Sequence, residues 1–212
     1  MPHTIAILGA GSVGGALGRR FLALGHDVRF GVSNPDGEKY MALAAETRIP
    51  VSSVGEAVRG ADLVVLAVPY DAVKAALAAA GDLDGRIVVD CTNPLAFADG
   101  RLSLTRGFDT SGAEEVARLA PGARIVKCFN QTGYANMVEP VVGEVESAMF
   151  VCGDDADARE VVRALAASIG FDAIDAGRLE VARLLEPLAM LWIHLSMTTP
   201  LGRDFAFGVL RR

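Results

Sequence analysis

Short apolar runs bounded by glycine, proline or acidic residues recur along this chain, and most are followed by a stretch with helical spacing. "TIAIL" (Thr4 to Leu8) is the first run, and Val13, Leu17, Phe21 and Leu24 then recur at helical intervals up to Gly25, a glycine placed to end a helix. "DVRFG" predicts a second strand, "DGEKYMALAAET" a helix and "IPV" a short third strand. "ADLVVLAVP" and "RIVVDC" are continuous apolar runs, the pattern of strands covered on both faces. Between them "YDAVKAALAAAGDL" predicts a helix ended by Gly81. Ser111 with Glu114 has capping-box spacing at the start of "SGAEEVARLAPG", and "ARIVKCF" returns to a strand. A strand, helix and strand follow in "SAMFVCGDDADAREVVRALAASIGFDAIDAG", with Asp154 or Asp155 as the helix cap.

Alternation of strands and helices with short connections predicts an α/β, doubly wound, mostly parallel sheet with right-handed crossovers. Residues 1–145 are expected to form the main domain, with 146–212 as an α/β extension packed on it. The extension ends in "RLEVARLLEPLAMLWIHLSMTTPLGRDFAFGVL", a long apolar helix interrupted at Pro187. Its apolar side chains, among them Leu184, Leu185, Leu188, Leu191 and Trp192, exceed what one helix of a small sheet protein buries alone. A homodimer contact through this helix is therefore expected.

Composition narrows the class. With 212 residues and 51% hydrophobic content the chain can bury a core without staples. A net charge of −6 argues against nucleic acid and anionic membranes as partners. Cys91, Cys128 and Cys152 lie in or beside strand-like runs without Cys-x-x-Cys spacing, so core thiols in a reducing compartment are expected. The chain begins directly in a strand and contains no run of membrane-spanning length, which predicts a soluble cytoplasmic protein.

The first chemistry-bearing motif is "GAGSVG", in which Gly9, Gly11 and Gly14 have G-x-G-x-x-G spacing between a predicted strand and helix. In that context the motif points to a dinucleotide pyrophosphate and a Rossmann-type sheet. Gly9 permits the tight turn, Gly11 lets phosphate approach the backbone, and Gly14 lets helix and strand pack closely. The helix N-terminus adds unpaired N–H groups and partial positive charge. NAD proteins usually carry an acidic residue after the second strand, but this strand ends "RFGVSNPDG". The absence of an acid, with Ser33, Asn34 and Lys39 nearby, leans to NADP and leaves NAD open. Asn34-Pro35 is also an ordinary turn-initiating pair.

Beyond these motifs, "GHDVRFGVSNP", "LAVPYDAV", "VDCTNPLA", "IVKCFNQTGYANM", "FVCGDDADARE" and "IDAGRLEVARLLEPLAMLW" cover nearly the whole chain. On these segments it resembles the NADPH-dependent reductases of the deazaflavin coenzyme F420, and the NADPH domains of six-transmembrane metalloreductases. The resemblance implies a hydride transfer between NADP(H) and coenzyme F420 or a flavin. It implies that Gly9, Ala10, Gly11, Ser12, Val13 and Gly14 hold the pyrophosphate, with Ser33 and Asn34 near the 2′-phosphate. Ala67, Val68 and Pro69 would line the nicotinamide ribose, and Asn93 and Pro94 would approach the nicotinamide. Asn130, Thr132, Gly133 and Tyr134 would face the reactive ring or its acceptor, and the terminal helix would close that pocket. Two departures stand out: Val32-Ser33 replaces the family's Ser-Arg, and Asn130 replaces a histidine common in the F420 reductases.

Hydride transfer between two ring systems needs positioning and exclusion of water rather than a strong protein base, so no catalytic residue is named. His3, His26 and His194 have no partners at metal-ligand spacing, and no metal is expected; His194 is expected to be buried or at an interface. Arg183 and Glu186 are i,i+3 neighbours and predict an ordinary ion pair. A dinucleotide-binding module without turnover, sensing redox state or serving a partner, is the alternative reading.

Overall fold

The computed structural model describes residues 2–98 and 100–212. The chain opens with β1 (Thr4–Leu8), α1 (Ser12–Ala23), β2 (Asp27–Val32), α2 (Glu38–Thr47) and β3 (Val51–Ser53). A short α3 (Val54–Val58) leads to β4 (Leu63–Leu66), and a 3-10 turn at Tyr70–Ala72 runs into α4 (Val73–Ala80). Next come β5 (Ile87–Asp90), a hairpin of β6 (Leu95–Ala98) and β7 (Arg101–Leu104), α5 (Gly112–Leu119) and β8 (Arg124–Lys127). Then α6 (Tyr134–Val138) and a hairpin of β9 (Val141–Val142) and β10 (Val145–Glu146) precede β11 (Ala148–Gly153), α7 (Ala156–Ile169) and β12 (Asp172–Gly177). A second 3-10 turn at Leu179–Val181 leads into α8 (Ala182–Thr198).

Eight strands form one sheet in the order β12-β11-β8-β5-β4-β1-β2-β3. All neighbours are parallel except β11 against β8, where Cys152 pairs with Lys127. Residues after 145 therefore extend the same sheet by two strands. The strands predicted to be covered on both faces are so covered: every residue of β4 and β5 is buried. One core lies on the α1 side around Phe21, Phe30, Phe129 and Met137, and the other lies beneath α3, α4, α5 and the start of α8. Each large apolar side chain taken fully out of water, such as Phe21, contributes roughly 1.5–3 kcal/mol.

The local signals act as expected at several ends. The His26 N–H bonds back to the Phe21 carbonyl just past Gly25 and closes α1. Ser111 Oγ accepts from the Glu114 N–H, and Asp155 rather than Asp154 caps α7 through the Ala158 N–H. The three cysteines are free and buried. Burial raises the Cys152 thiol to about 12 and raises Cys91 and Cys128 as well, so all three are unreactive thiols at neutral pH.

Three expectations are corrected. The terminal helix is continuous through Pro187, which is exposed. Pro187 forgoes only its own N–H bond to the preceding turn, and its neighbours Leu185, Glu186 and Ala189 are buried and hold the helix in place. His194 is exposed, so of its two expected settings, buried or at an interface, the buried one is excluded. Arg183 and Glu186 do not pair with one another, because each meets an opposite charge brought from another element. Among the described residues no helix is long and apolar enough to cross a membrane.

Candidate functional site

The carboxyl ends of β1, β4, β5 and β8 lie side by side in the sheet, and the loops leaving them form one edge. At β1 the chain turns sharply through Gly9, whose φ of 96° is a left-handed conformation that side chains disfavour. A Cβ at Gly9 would also sit 2.6 Å from the Ala67 carbonyl oxygen, so Gly9 is required twice over. A Cβ at Gly14 would collide with the Gly9 carbonyl. Gly11 differs: it caps α1 with an ordinary φ of −81°, and nothing lies within 4 Å of where its Cβ would be. Gly9 and Gly14 are therefore glycines for the fold, and Gly11 is a glycine facing open space at a helix N-terminus.

That space belongs to a cavity of about 680 Å³ running along the edge from β2 to β4. Gly9, Ala10 and Gly11 line it together with Ser33, Ala67, Val68 and Pro69. Opposite walls come from Ala72, Ala75, Ala76 and Ala79, a strip of alanines on the 3-10 turn and α4, and from Val32, Val54 and Tyr40. The strip is apolar and carries no side chain larger than a methyl group. Among the described residues Lys39 is the only charged side chain in the lining, and its ammonium lies 4.6 Å over the Tyr40 ring. Asn34 does not line the cavity; its carbonyl accepts from the Gly37 N–H, the turn anticipated for Asn34-Pro35. Arg29 is also elsewhere, paired with Asp27 at 2.7 Å.

Farther along the edge, Asn93 and Asn130 join the ends of β5 and β8. Asn93 Nδ2 donates to the Asn130 carbonyl (2.9 Å), and Asn130 Nδ2 donates back to Asn93 Oδ1 (2.9 Å) and to the Leu185 carbonyl (3.2 Å). Asn130 Oδ1 accepts from Gln131 Nε2 (3.0 Å), so the Asn130 amide is fully engaged within the protein. The turn into this loop is made by Phe129, which has a φ of 61° although it is not glycine. Its buried ring packs edge-on to Phe21 and tilted on Phe171, which holds the unfavourable backbone in place. Thr132 accepts from Asn136 Nδ2, while Gly133 and half-exposed Tyr134 open into a separate cavity of about 330 Å³ with Trp192, Met197 and Arg203.

Beneath Asn93 and Asn130 lies a cluster that sequence reasoning missed. Lys127 is completely buried, and its three donors are all used: Asp90 Oδ2 at 2.9 Å, the Thr92 carbonyl at 2.6 Å and Glu186 Oε1 at 2.8 Å. Asp90 Oδ1 accepts from the Thr92 N–H and hydroxyl. Glu186 accepts the Gly112 and Ala113 N–H groups at the start of α5, whose partial positive charge offsets the second carboxylate. Gly112 allows this approach, since a Cβ there would meet the Tyr70 ring, Glu186 and the Pro94 ring at 2.9–3.2 Å. Burial alone would depress the Lys127 ammonium, but the two carboxylates outweigh it and hold its pKa above the usual lysine value. The available signal was a lysine inside the apolar run "IVKCF" and a glutamate inside an apolar helix, each of which demands a buried partner.

The glycine turn, the cavity and its charge-poor wall make this edge the candidate dinucleotide site. The profile of the family described as NADP oxidoreductase coenzyme F420-dependent matches residues 4–94. An F420-dependent NADP reductase of Methanothermobacter thermautotrophicus is 32% identical over 212 aligned residues, which cover 93% of this chain and 90% of that protein. The chain belongs to the F420-dependent NADP reductase family. By family it is thus an NADP-dependent oxidoreductase. A solved structure from Arthrobacter sp. fb24, provisionally assigned as an F420-dependent NADP-reductase, superposes with a TM-score of 0.89 at 32% identity, covering 99% of this chain and 100% of that one. Metalloreductase STEAP3 of Rattus norvegicus is 31% identical over 190 residues, spanning 88% of this chain but 37% of that protein.

Proposed function

We propose that this reductase moves a hydride between NADP(H) and a deazaflavin of the coenzyme F420 type, with a flavin as a poorer acceptor. The observation that carries the nucleotide half is the β2–β4 cavity, where, among the described residues, a helix N-terminus, an alanine wall and a single lysine meet without a carboxylate. The N–H groups of Ser12 and Val13 in the first turn of α1 bind the pyrophosphate oxygens. Lys39 and Ser33 take the 2′-phosphate in place of the family's arginine, and the alanine strip carries the adenine. An aspartate suited to a free ribose hydroxyl has no counterpart here, so NADP is preferred to NAD.

When bound, the nicotinamide supplies the hydride. The chain's part is to orient that ring beside Asn93 and Pro94, to exclude water, and to leave one face open to the acceptor ring. Gly133 and Tyr134, with Trp192 across the smaller cavity, offer the aromatic surface for that ring. Exposed Leu184 and Leu191 on α8 support self-association of this face into a homodimer. The test is anaerobic oxidation of NADPH with coenzyme F420, FMN, FAD and a ferric chelate as separate acceptors. Turnover with coenzyme F420 at least about tenfold above the flavins is expected. Tight nucleotide binding with no turnover on any acceptor would instead favour the non-catalytic module.

A further inference from the structure

The buried Lys127 cluster is adjacent to the reactive end of the edge, yet binding and hydride transfer as described above make no use of it. Its consequence lies in the Thr92–Asn93 peptide. That peptide is planar and trans, so the Thr92 carbonyl and the Asn93 N–H point in opposite directions. Lys127 Nζ holds the carbonyl at 2.6 Å on the protein side. The Asn93 N–H is thereby directed away from the ammonium, and among the described residues it has no partner. Neighbouring groups are otherwise accounted for: the Thr92 N–H bonds to Asp90, the Leu95 N–H to the Asn93 carbonyl, and Pro94 has no N–H. Asn93 is partly exposed, so the unspent donor lies at the edge rather than in the core.

We propose that Lys127 is the positioning residue of this site, aiming the Asn93 backbone N–H at the carboxamide oxygen of the nicotinamide. The carboxylates of Asp90 and Glu186 hold the ammonium where it must be to grip Thr92. Glu186 and the Leu185 carbonyl at the same time fix α8 against Asn130, so one cluster sets both the donor and the wall beside it. An ammonium this enclosed cannot meet a ligand; it acts through the peptide it orients. The inference rests on the nucleotide reading given above and is independent of which acceptor is used.

The test is a binding cycle on the full chain, with NADP+ and thionicotinamide-NADP+ as the pair of probes and 2′,5′-ADP as control. The pair differs only in the oxygen or sulfur of the carboxamide, and sulfur is the weaker acceptor. The parent is expected to bind NADP+ about fivefold more tightly than the thio analogue, the scale of one hydrogen bond. In Lys127→Met, and in the charge-neutral variant Asp90→Asn/Lys127→Met/Glu186→Gln, that ratio should fall to about one while 2′,5′-ADP binds as in the parent. The triple variant guards against a fold lost to unpaired buried carboxylates, and unchanged 2′,5′-ADP binding certifies the fold. A ratio that stays at the parent's value, or a parent that does not distinguish oxygen from sulfur, overturns the proposal. Failure of NADP+ and 2′,5′-ADP alike to bind the parent would instead remove the nucleotide reading itself.

Discussion

At the β2–β4 end of the carboxyl edge the protein offers a cavity with, among the described residues, one exposed cation and no carboxylate, walled by alanines and glycines. At the β5–β8 end it seals three charges completely and satisfies each with hydrogen bonds. In the proposed reading the first arrangement keeps polar capacity for a ligand: the N–H groups at the start of α1, Ser33 and Lys39. The second spends its capacity internally, and its output is geometry. A buried ion cluster contributes little net stability compared with an apolar replacement, but removing one member is costly. Its value here is registry, since Lys127 and Glu186 tie β5, β8, α5 and α8 at one point. On the proposed reading, affinity belongs to one end of the edge and alignment to the other.

Mutations that separate the two ends differ in size. Lys127→Ala leaves two carboxylates facing each other in the core, and a loss of about 3–5 kcal/mol in urea unfolding is expected. Next is Gly11→Val. The open space at this position accepts the side chain, so thermal stability should change by no more than about 2 °C. NADP(H) affinity by calorimetry should nevertheless fall about 100-fold, about 2.7 kcal/mol, because the new methyls occupy the phosphate position. Gly14→Ala should do the reverse and lose the fold first, because its Cβ meets the Gly9 carbonyl. Lys39→Ala is milder: NADP(H) affinity should drop about tenfold with NADH unchanged, and Ser33→Arg should raise the NADPH preference by one to two powers of ten. If Lys39→Ala weakens both nucleotides equally, the lysine does not read the 2′-phosphate.

The smallest effect is in alkali. Because the folded-state pKa of Lys127 lies above its ordinary 10.5, its contribution to stability is complete below about pH 10.5 and fades as pH rises through the folded value. The difference in urea midpoint between the parent and the Asp90→Asn/Lys127→Met/Glu186→Gln variant should be constant from pH 7 to about 10 and change only above it. A difference that changes between pH 6 and 8 would mean that another group controls the cluster.

The two ends also differed in how far the sequence revealed them. The glycine turn is local: three glycines within six residues, between a strand and a helix, two of them (Gly9 and Gly14) required sterically and the third, Gly11, facing open space. The strands and most helices were legible for the same reason, since period and breakers lie within one window. Some local signals were passed over, such as the capping box from Ser53 to Glu56 that starts α3. The Lys127 cluster was illegible for a different reason: its partners lie 37 and 59 residues away and meet only through the sheet order. The same distance misled the reading of Arg183 and Glu186. Their i,i+3 spacing is a weak preference, and Arg183 instead takes Glu114 at 2.6 Å while Glu186 takes Lys127.

Direct transfer is the central claim, because every feature of the edge is explained as holding two rings face to face rather than as acid–base machinery. The measurement that tests it most directly is single-turnover reduction of coenzyme F420 by NADPH deuterated in turn on each face of the nicotinamide carbon 4. Reduced deazaflavin keeps the transferred atom on carbon, so its fate can be read by mass spectrometry. One of the two deuterated forms is expected to deliver its label to the deazaflavin carbon quantitatively, with a primary isotope effect, and the other to retain it. Label from either form appearing in solvent, or equal delivery from both faces, would contradict it.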